Sequence, residues 1–351
     1  MLKSLFSGSG PGSKLLIALA LIVFLGLALT PFVFSGTRAM ETAAKIAIFI
    51  VLVASYDLLL GYTGIVSFAH TVFFGFGAYG VALATQRLGS GWDALALGTL
   101  GGVILSVVLA FGVAMFSLRV RAIFFAMITM AVASAIAVLV SQLSWLTGGE
   151  DGMNIKIPRE LTPAFRTDLE IFGTKITGRV LNYYLVFFSA FALFLLMLRV
   201  VSSPFGRVLQ AIRENPFRAE AIGYRVVVYR TVATCLSAAI AALAGALFAV
   251  WLRYVGPDTT LSAELMIDIL LMVVIGGMGT LWGAVLGAAI FVLAQSYLQV
   301  LMEQAAGATA ALPLLPDLLN PDRWLLWMGI LFILSVYFFP TGIVGRLKAA
   351  K

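Results

Sequence analysis

Long apolar stretches are the feature of this sequence that most constrains how the chain can fold. Residues 15–34 and 122–146 contain no charged side chain, and a helix needs about 20 apolar residues to cross a bilayer core. Of the 351 residues, 62% are hydrophobic and 11% are charged, whereas soluble domains are about half apolar and about a quarter charged. The sequence therefore predicts an all-α integral membrane protein, a polytopic helical bundle whose outer surface faces lipid.

Nine apolar runs predict about ten membrane spans. They cover residues 15–34, 42–60, 65–85, 92–118, 122–146, 181–200, 231–254, 265–301 and 324–339. The run 265–301 is too long for one untilted span, and glycines within it divide it, so we predict two spans there. The first run exceeds the core of a secretory signal peptide, about 7–15 residues, so we interpret it as a retained span.

The distribution of basic residues predicts the orientation of these spans, because cytoplasmic loops carry an excess of Lys and Arg. Loop 201–230 holds five arginines against two glutamates, whereas loop 147–180 balances five acidic with five basic residues. We therefore predict that loop 201–230 is cytoplasmic, as are Arg119, Arg121 and both termini, and that loop 147–180 is periplasmic. This orientation accounts for the net charge of +7 without a nucleic-acid partner. We predict that residues 1–351 form a single transmembrane domain.

Two glycine-rich breaks interrupt the lipid-facing pattern. The first contains Gly61, Tyr62, Thr63 and Gly64, with Ser67 and His70 following; the second contains Gly276, Gly277 and Gly279. Matching breaks in two halves of a transporter point to its binding site, which makes these residues candidates for the lining of a pore. Ordinary tight turns or close helix packing would give the same pattern. Asp57 is a further pore candidate, because ionisable groups at membrane depth are costly and default to a functional hypothesis; a structural hydrogen bond is the other interpretation.

Several classes of site are disfavoured. One cysteine, Cys235, excludes an intramolecular disulfide and a cysteine metal cluster, and one histidine disfavours a histidine metal site. Residues 75–80 match G-x-G-x-x-G, but a dinucleotide fingerprint needs a preceding strand, and this segment lies in an apolar run. We therefore predict no catalytic residue, metal site or bound cofactor on this chain.

Loop 201–230 is the most informative soluble segment. Residues 203–215 have helical character up to Pro216, and a second short helix is expected over 218–222, ended by Gly223. A charged pair of helices is suited to docking a soluble partner. A plain connecting loop held to lipid head groups by its arginines is the alternative.

Four segments resemble the permeases of the branched-chain amino acid ABC importer family, LivM type. They are the break at 61–64 with Ser67 and His70, the segment 147–152 (TGGEDG), the loop 203–224, and the segment 274–283 (VIGGMGTLWG). The motifs follow the family's order over residues 55–290. Family members often carry Asn where this chain has Asp57, and an aspartate there resembles the urea-type branch of the same superfamily.

The resemblance implies a permease that pairs with a second, similar permease of LivH type. It also implies two cytoplasmic ATPases, which bind ATP-Mg, a periplasmic solute-binding protein, and a location in the bacterial inner membrane. Five loop residues would contact an ATPase, namely Arg213, Glu214, Glu220, Ala221 and Gly223. A urea or amide permease of the same superfamily and a stand-alone secondary transporter remain as alternatives.

Overall fold

The computed structural model describes residues 14–34, 36–117, 122–171, 174–308, 320–338 and 341–349. Arg119, Arg121 and residues 309–319 lie outside these ranges. The main helices are α1 (Lys14–Val33), α2 (Thr37–Thr63), α3 (His70–Leu88), α4 (Trp92–Ser117), α5 (Ala122–Gln142), α6 (Gly178–Ser202), α7 (Pro204–Glu214), α8 (Pro216–Ala221), α9 (Val226–Leu252), α10 (Ala263–Gly276), α11 (Leu281–Ala308), α12 (Trp324–Phe338) and α13 (Gly342–Ala349).

The loops add short elements. Single α-helical turns occupy Ser144–Thr147 and Pro257–Thr260, and 3₁₀ turns occupy Gly149–Asp151, Arg159–Leu161 and Pro321–Arg323. The strands are β1 (Met153–Asn154), β2 (Arg166–Ile171), β3 (Thr174–Thr177) and β4 (Tyr254–Val255); β1 pairs with β4 and β2 with β3, both antiparallel. These small sheets lie in loops between helices, so the helical bundle remains the fold.

Length and apolar composition confirm the prediction of a polytopic membrane protein. In the described part of the chain, eight helices are long and apolar enough to cross a membrane: α1, α2, α4, α5, α6, α9, α11 and the segment Pro257–Gly276. They coincide with predicted runs. The glycines divide the run 265–301 as predicted, since α10 ends at Gly276 and α11 begins at Leu281. The predicted run 65–85 begins too early, because residues 65–69 are not helical and α3 begins at His70.

Helix α2 is the central element of the bundle. It packs against α6, α9, α10 and α11, and residues such as Ile48, Leu52 and Leu59 are fully buried. A helix that is apolar on all sides belongs in the interior of a protein. Residues 46–54 of α2 are apolar on every side and buried, whereas α4 and α5 are largely exposed and form part of the lipid-facing surface.

The two ends of α2 lie at opposite ends of the molecule. Near its start, Arg179 binds Glu41 at 2.9 Å and Thr37 at 3.1 Å, beside strand β3. Near its end, Gly61 contacts Arg213 of α7. A helix of 27 residues is about 40 Å long at 1.5 Å per residue, so loops 147–180 and 201–230 lie at opposite ends of the bundle. We call them the hairpin end and the arginine-rich end.

Glycine lets α3, α4 and α9 approach one another closely. A Cβ atom at Gly77 would overlap the carbonyl group of Ala242, and one at Gly245 would overlap that of Phe74. Close approach of helix backbones at small residues is a principal source of stability between helices in lipid. These glycines therefore hold α3 and α9 in contact.

The variant Gly77→Val is expected to destabilise the bundle, because the added side chain has no space beside Ala242. Overpacking of this kind costs about 1–3 kcal/mol or more. Thermal unfolding of the purified protein in detergent measures the loss. Gly101→Val on α4 is the control, since a Cβ there meets nothing within 4 Å. Equal melting temperatures for the two variants would contradict the proposed packing role.

Candidate functional site

The two glycine breaks meet at the arginine-rich end of the bundle. Gly64 ends α2 with φ +72°, and Gly277 and Gly279 follow α10 with φ +114° and +80°. A Cβ atom at Gly61 would overlap the amide nitrogen of Gly279, so the two backbones are in direct contact. We call this contact region, with Asp57 and Arg213, the glycine junction.

Asp57 connects the two breaks. Its Oδ1 accepts a hydrogen bond from the Gly279 amide at 2.8 Å, across 222 residues of chain, and its side chain is only 1% exposed. Irregular backbone that is shielded from water requires such a partner, because its amide groups are not satisfied by a helix. This geometry agrees with the interpretation of Asp57 as a structural hydrogen-bond acceptor.

Arg213 attaches helix α7 to the same junction. Its Nη1 donates a hydrogen bond to the carbonyl oxygen of Gly61, and its guanidinium group interacts electrostatically with Asp57. A Cβ atom at Gly64 would lie 3.3 Å from Arg213 Cγ, and one at Gly279 would lie 2.6 Å from Arg213 Nη1. Both positions also have positive φ angles, so glycine fits there without backbone strain and without displacing the arginine side chain.

The C-terminal helix α13 completes the junction. A Cβ atom at Gly342 would overlap the backbone of Gly277, and the Thr280 hydroxyl donates to the Gly277 carbonyl at 2.9 Å. Three separate parts of the sequence thus surround the second break: the end of α2, helix α7 and the start of α13.

The remaining candidates in the first break are buried in the bundle. Tyr62, Thr63, Ser67 and His70 are each 3% exposed or less. The His70 Nε2 atom lies 2.8 Å from the Ser55 hydroxyl. The backbone carbonyl of Ser55 accepts a hydrogen bond from the Ser237 hydroxyl at 2.6 Å. His70 therefore belongs to a polar contact that joins α2, α3 and α9.

The other predicted ATPase-contacting residues lie on the surface of α7 and α8. Glu214, Glu220, Ala221 and Gly223 are all exposed. The second helix begins at Pro216, before the predicted start, because Asn215 caps it by accepting from the Arg218 amide at 2.9 Å. Gly223 has φ +98°, which suits its predicted role in ending this segment.

The sequence patterns did not predict the exposed apolar side chains that lie beside the charged residues of α7 and α8. Phe217 is 82% exposed and Ile222 is 67% exposed, although both lie in a polar loop away from the apolar spans. A large exposed apolar group on a soluble segment is typical of a protein contact. The available signal was a phenylalanine and an isoleucine within a charged segment.

The variant Asp57→Ala is expected to lower stability by about 1–3 kcal/mol, because it leaves the half-buried Gly279 amide without its acceptor. Asp57→Asn retains an oxygen acceptor and is the matched control, with a smaller expected loss. Thermal unfolding in detergent distinguishes them. If alanine and asparagine lowered the melting temperature equally, the hydrogen bond to Gly279 would not be the source of stability.

Comparisons with known proteins identify the family. Residues 38–336 match the family model described as branched-chain amino acid transport system / permease component. The chain is 30% identical over 322 residues to the high-affinity branched-chain amino acid transport system permease protein LivM of Escherichia coli, covering 85% of this chain and 74% of that protein.

Two further relatives extend this result. LivM of Salmonella typhimurium is 28% identical over 276 residues, which cover 74% of this chain and 64% of that protein. The permease protein LivH of Escherichia coli is 23% identical over 324 residues, covering 91% of this chain and 96% of that protein. With its apolar helices, its glycine junction and this match over most of its length, the chain belongs to the family of permease components of branched-chain amino acid transport systems.

Proposed function

We propose that this protein is a permease subunit of an ATP-driven importer that moves branched-chain amino acids across the bacterial inner membrane by alternating access. The observation that carries the proposal is the attachment of a charged, exposed helix pair to a broken membrane helix through Arg213 and Gly61. The family match and the names of the relatives support the substrate class.

In this proposal the glycine junction transmits motion of the cytoplasmic loop to the membrane helices. In the proposed orientation the arginine-rich end is cytoplasmic, where loop 201–230 docks on an ATPase through Glu214, Glu220, Ala221 and Gly223. Movement of α7 would shift Arg213 and so displace the ends of α2 and α10 together, because Asp57 binds these breaks to each other. Contacts with two discrete arrangements are the physical basis of such coupling.

Phe217 strengthens the docking proposal. Its ring protrudes from α8 next to Arg218 and Glu220, so it combines an apolar anchor with charges of both signs. Buried aromatic anchors within a polar rim carry most of the free energy of many protein interfaces. We infer that Phe217 inserts into a surface pocket of the ATPase.

The proposed complex contains four further subunits. A second permease of LivH type would pair with this one, in accord with the likeness to LivH. Two ATPases would bind ATP-Mg, and a periplasmic solute-binding protein would dock on the hairpin end, where loop 147–180 forms a folded surface. In this proposal the pore is lined by Asp57, Gly61, Gly64, His70 and the second break. These residues change conformation when the glycine junction moves.

ATP dependence tests the proposed function directly. Proteoliposomes that contain the whole complex and the solute-binding protein are expected to accumulate radiolabelled leucine only when ATP and Mg²⁺ reach the ATPases. The control is the same complex with a hydrolysis-defective ATPase. Leucine transport by this chain alone would contradict the proposal and favour a secondary transporter, whereas ATP-driven uptake of urea but not leucine would favour the urea-type alternative.

The docking surface gives a second test. Phe217→Ala is expected to reduce ATP-driven leucine uptake and co-purification of the ATPase by at least about tenfold, as loss of a central aromatic anchor does at other interfaces. Val232→Ala is the control, since Val232 is also an exposed apolar residue, 49% exposed, but lies on α9 outside loop 201–230. Unchanged co-purification for Phe217→Ala would contradict the docking assignment.

A further inference from the structure

A small polar pocket lies at the hairpin end of the bundle, at the opposite end of α2 from the glycine junction. Its polar lining consists of Glu41 near the start of α2, Arg179 and Asn182 of α6, and Arg253 directly after α9. The pocket has a volume of about 120 Å³, below the range of about 300–1,000 Å³ that is usual for sites that enclose a whole small molecule. It has room for a charged group of a larger molecule whose remainder stays outside.

Asn182 presents an unused hydrogen-bond acceptor in this pocket. The side chain is only 3% exposed, and its amide nitrogen Nδ2 donates to the Val250 carbonyl at 3.2 Å. Its Oδ1 atom is buried and has no hydrogen-bond partner among the described residues. Because buried polar atoms are nearly always hydrogen-bonded, this oxygen indicates a ligand that carries an N–H or O–H donor.

Arg253 presents a positive charge in the same pocket. Among the described residues it is the only non-glycine residue with a positive φ, +59°, and its backbone is held by hydrogen bonds to Ala249 and Ile155 at 2.8 and 2.9 Å. Arg179 is paired with Glu41 at 2.9 Å, whereas the Arg253 guanidinium has no ion-pair partner in the described part of the chain. A guanidinium group binds phosphate and carboxylate oxygens through paired hydrogen bonds, so the pocket suits an anion.

The pocket lies at the depth where membrane spans end. Helix α2 begins at Thr37, α6 begins at Gly178 and α9 ends at Leu252, and these ends border the pocket. Trp251 lines it and packs against Tyr183 with the ring centroids 6.1 Å apart; tryptophan and tyrosine are enriched at the level of the lipid head groups. Leu252 also lines the pocket and is 43% exposed, so an apolar surface adjoins the charged groups.

We propose that this pocket binds the head group of a phospholipid that carries both a phosphate and a primary ammonium group, as phosphatidylethanolamine does. The phosphate binds Arg253, the ammonium group donates to Asn182 Oδ1 beside Glu41, and the acyl chains lie outside against the exposed apolar surface at Leu252. The bound lipid joins the ends of α2, α6 and α9 at the hairpin end. This inference does not depend on which solute the protein transports.

Lipid binding to the purified full-length protein tests the inference. Native mass spectrometry of delipidated protein measures the dissociation constants of dioleoyl phosphatidylethanolamine, phosphatidylcholine and phosphatidylglycerol. Phosphatidylcholine has no N–H group to donate to Asn182, and phosphatidylglycerol has no ammonium group. We expect phosphatidylethanolamine to bind about tenfold more tightly than either, since it alone makes a charge-assisted hydrogen bond to Asn182. Equal dissociation constants for the three lipids would overturn the proposal.

The variant Arg253→Asn tests the phosphate contact. Asparagine tolerates a positive φ, so the variant removes the guanidinium group and preserves the backbone; we expect it to bind phosphatidylethanolamine about tenfold more weakly. Arg159→Asn is the matched control, because Arg159 is an exposed arginine of the same loop region that does not line the pocket. An unchanged dissociation constant for Arg253→Asn would contradict the assignment. The lipid series on the unmodified protein decides the matter even where this variant does not fold.

An acidic side chain of a protein partner is the competing occupant. A carboxylate can bind Arg253 as a phosphate does, but it brings no ammonium group to Asn182. The affinity of the solute-binding protein for the whole complex is therefore measured in phosphatidylglycerol nanodiscs, with and without Arg253→Asn, and we expect it to be unchanged. Weaker binding of that protein, together with unchanged affinity for phosphatidylethanolamine, would overturn the lipid site and assign the pocket to protein docking.

Discussion

The requirement that backbone amide and carbonyl groups shielded from water find a partner governs this structure. Unbroken helices meet it internally, and the two glycine breaks cannot. The Gly279 amide instead binds Asp57, and the Gly61 carbonyl accepts from Arg213. The charged side chains at the junction therefore satisfy the breaks, and the junction is as much a condition of folding as a candidate for transport.

This dual role links packing to the proposed mechanism. Arg213 belongs to the soluble helix α7, yet its guanidinium group completes the end of a central membrane helix. A helix pair so attached cannot move far without altering the ends of α2 and α10, because the same few atoms satisfy both breaks. The exposed Phe217 and Glu220 lie on the next helix, where a soluble partner can reach them without touching the junction.

A cavity between α3, α5 and the start of α10 lies at the end of the chain segment that follows the glycine junction. Residues 64–68 connect Gly64, beside Arg213, to Phe68, which borders the cavity. A segment of five residues therefore joins the arginine-rich end to the wall of the cavity. This segment is held by the Thr129 hydroxyl rather than by helix hydrogen bonds, which is consistent with a part of the backbone that can change conformation.

The amino-acid sequence by itself determined the class of fold, the position of most helices and the division of the run 265–301, because span length, apolar composition and glycine act locally. It also indicated loop 201–230 as the charged soluble segment. Only the tertiary structure decided that Asp57 meets Gly279, that Arg213 binds Gly61, and that Phe68 and Thr71, rather than Ser67 and His70, border the cavity. These contacts join residues as many as 222 positions apart, and which face of a buried helix meets which neighbour depends on the packing of the whole bundle.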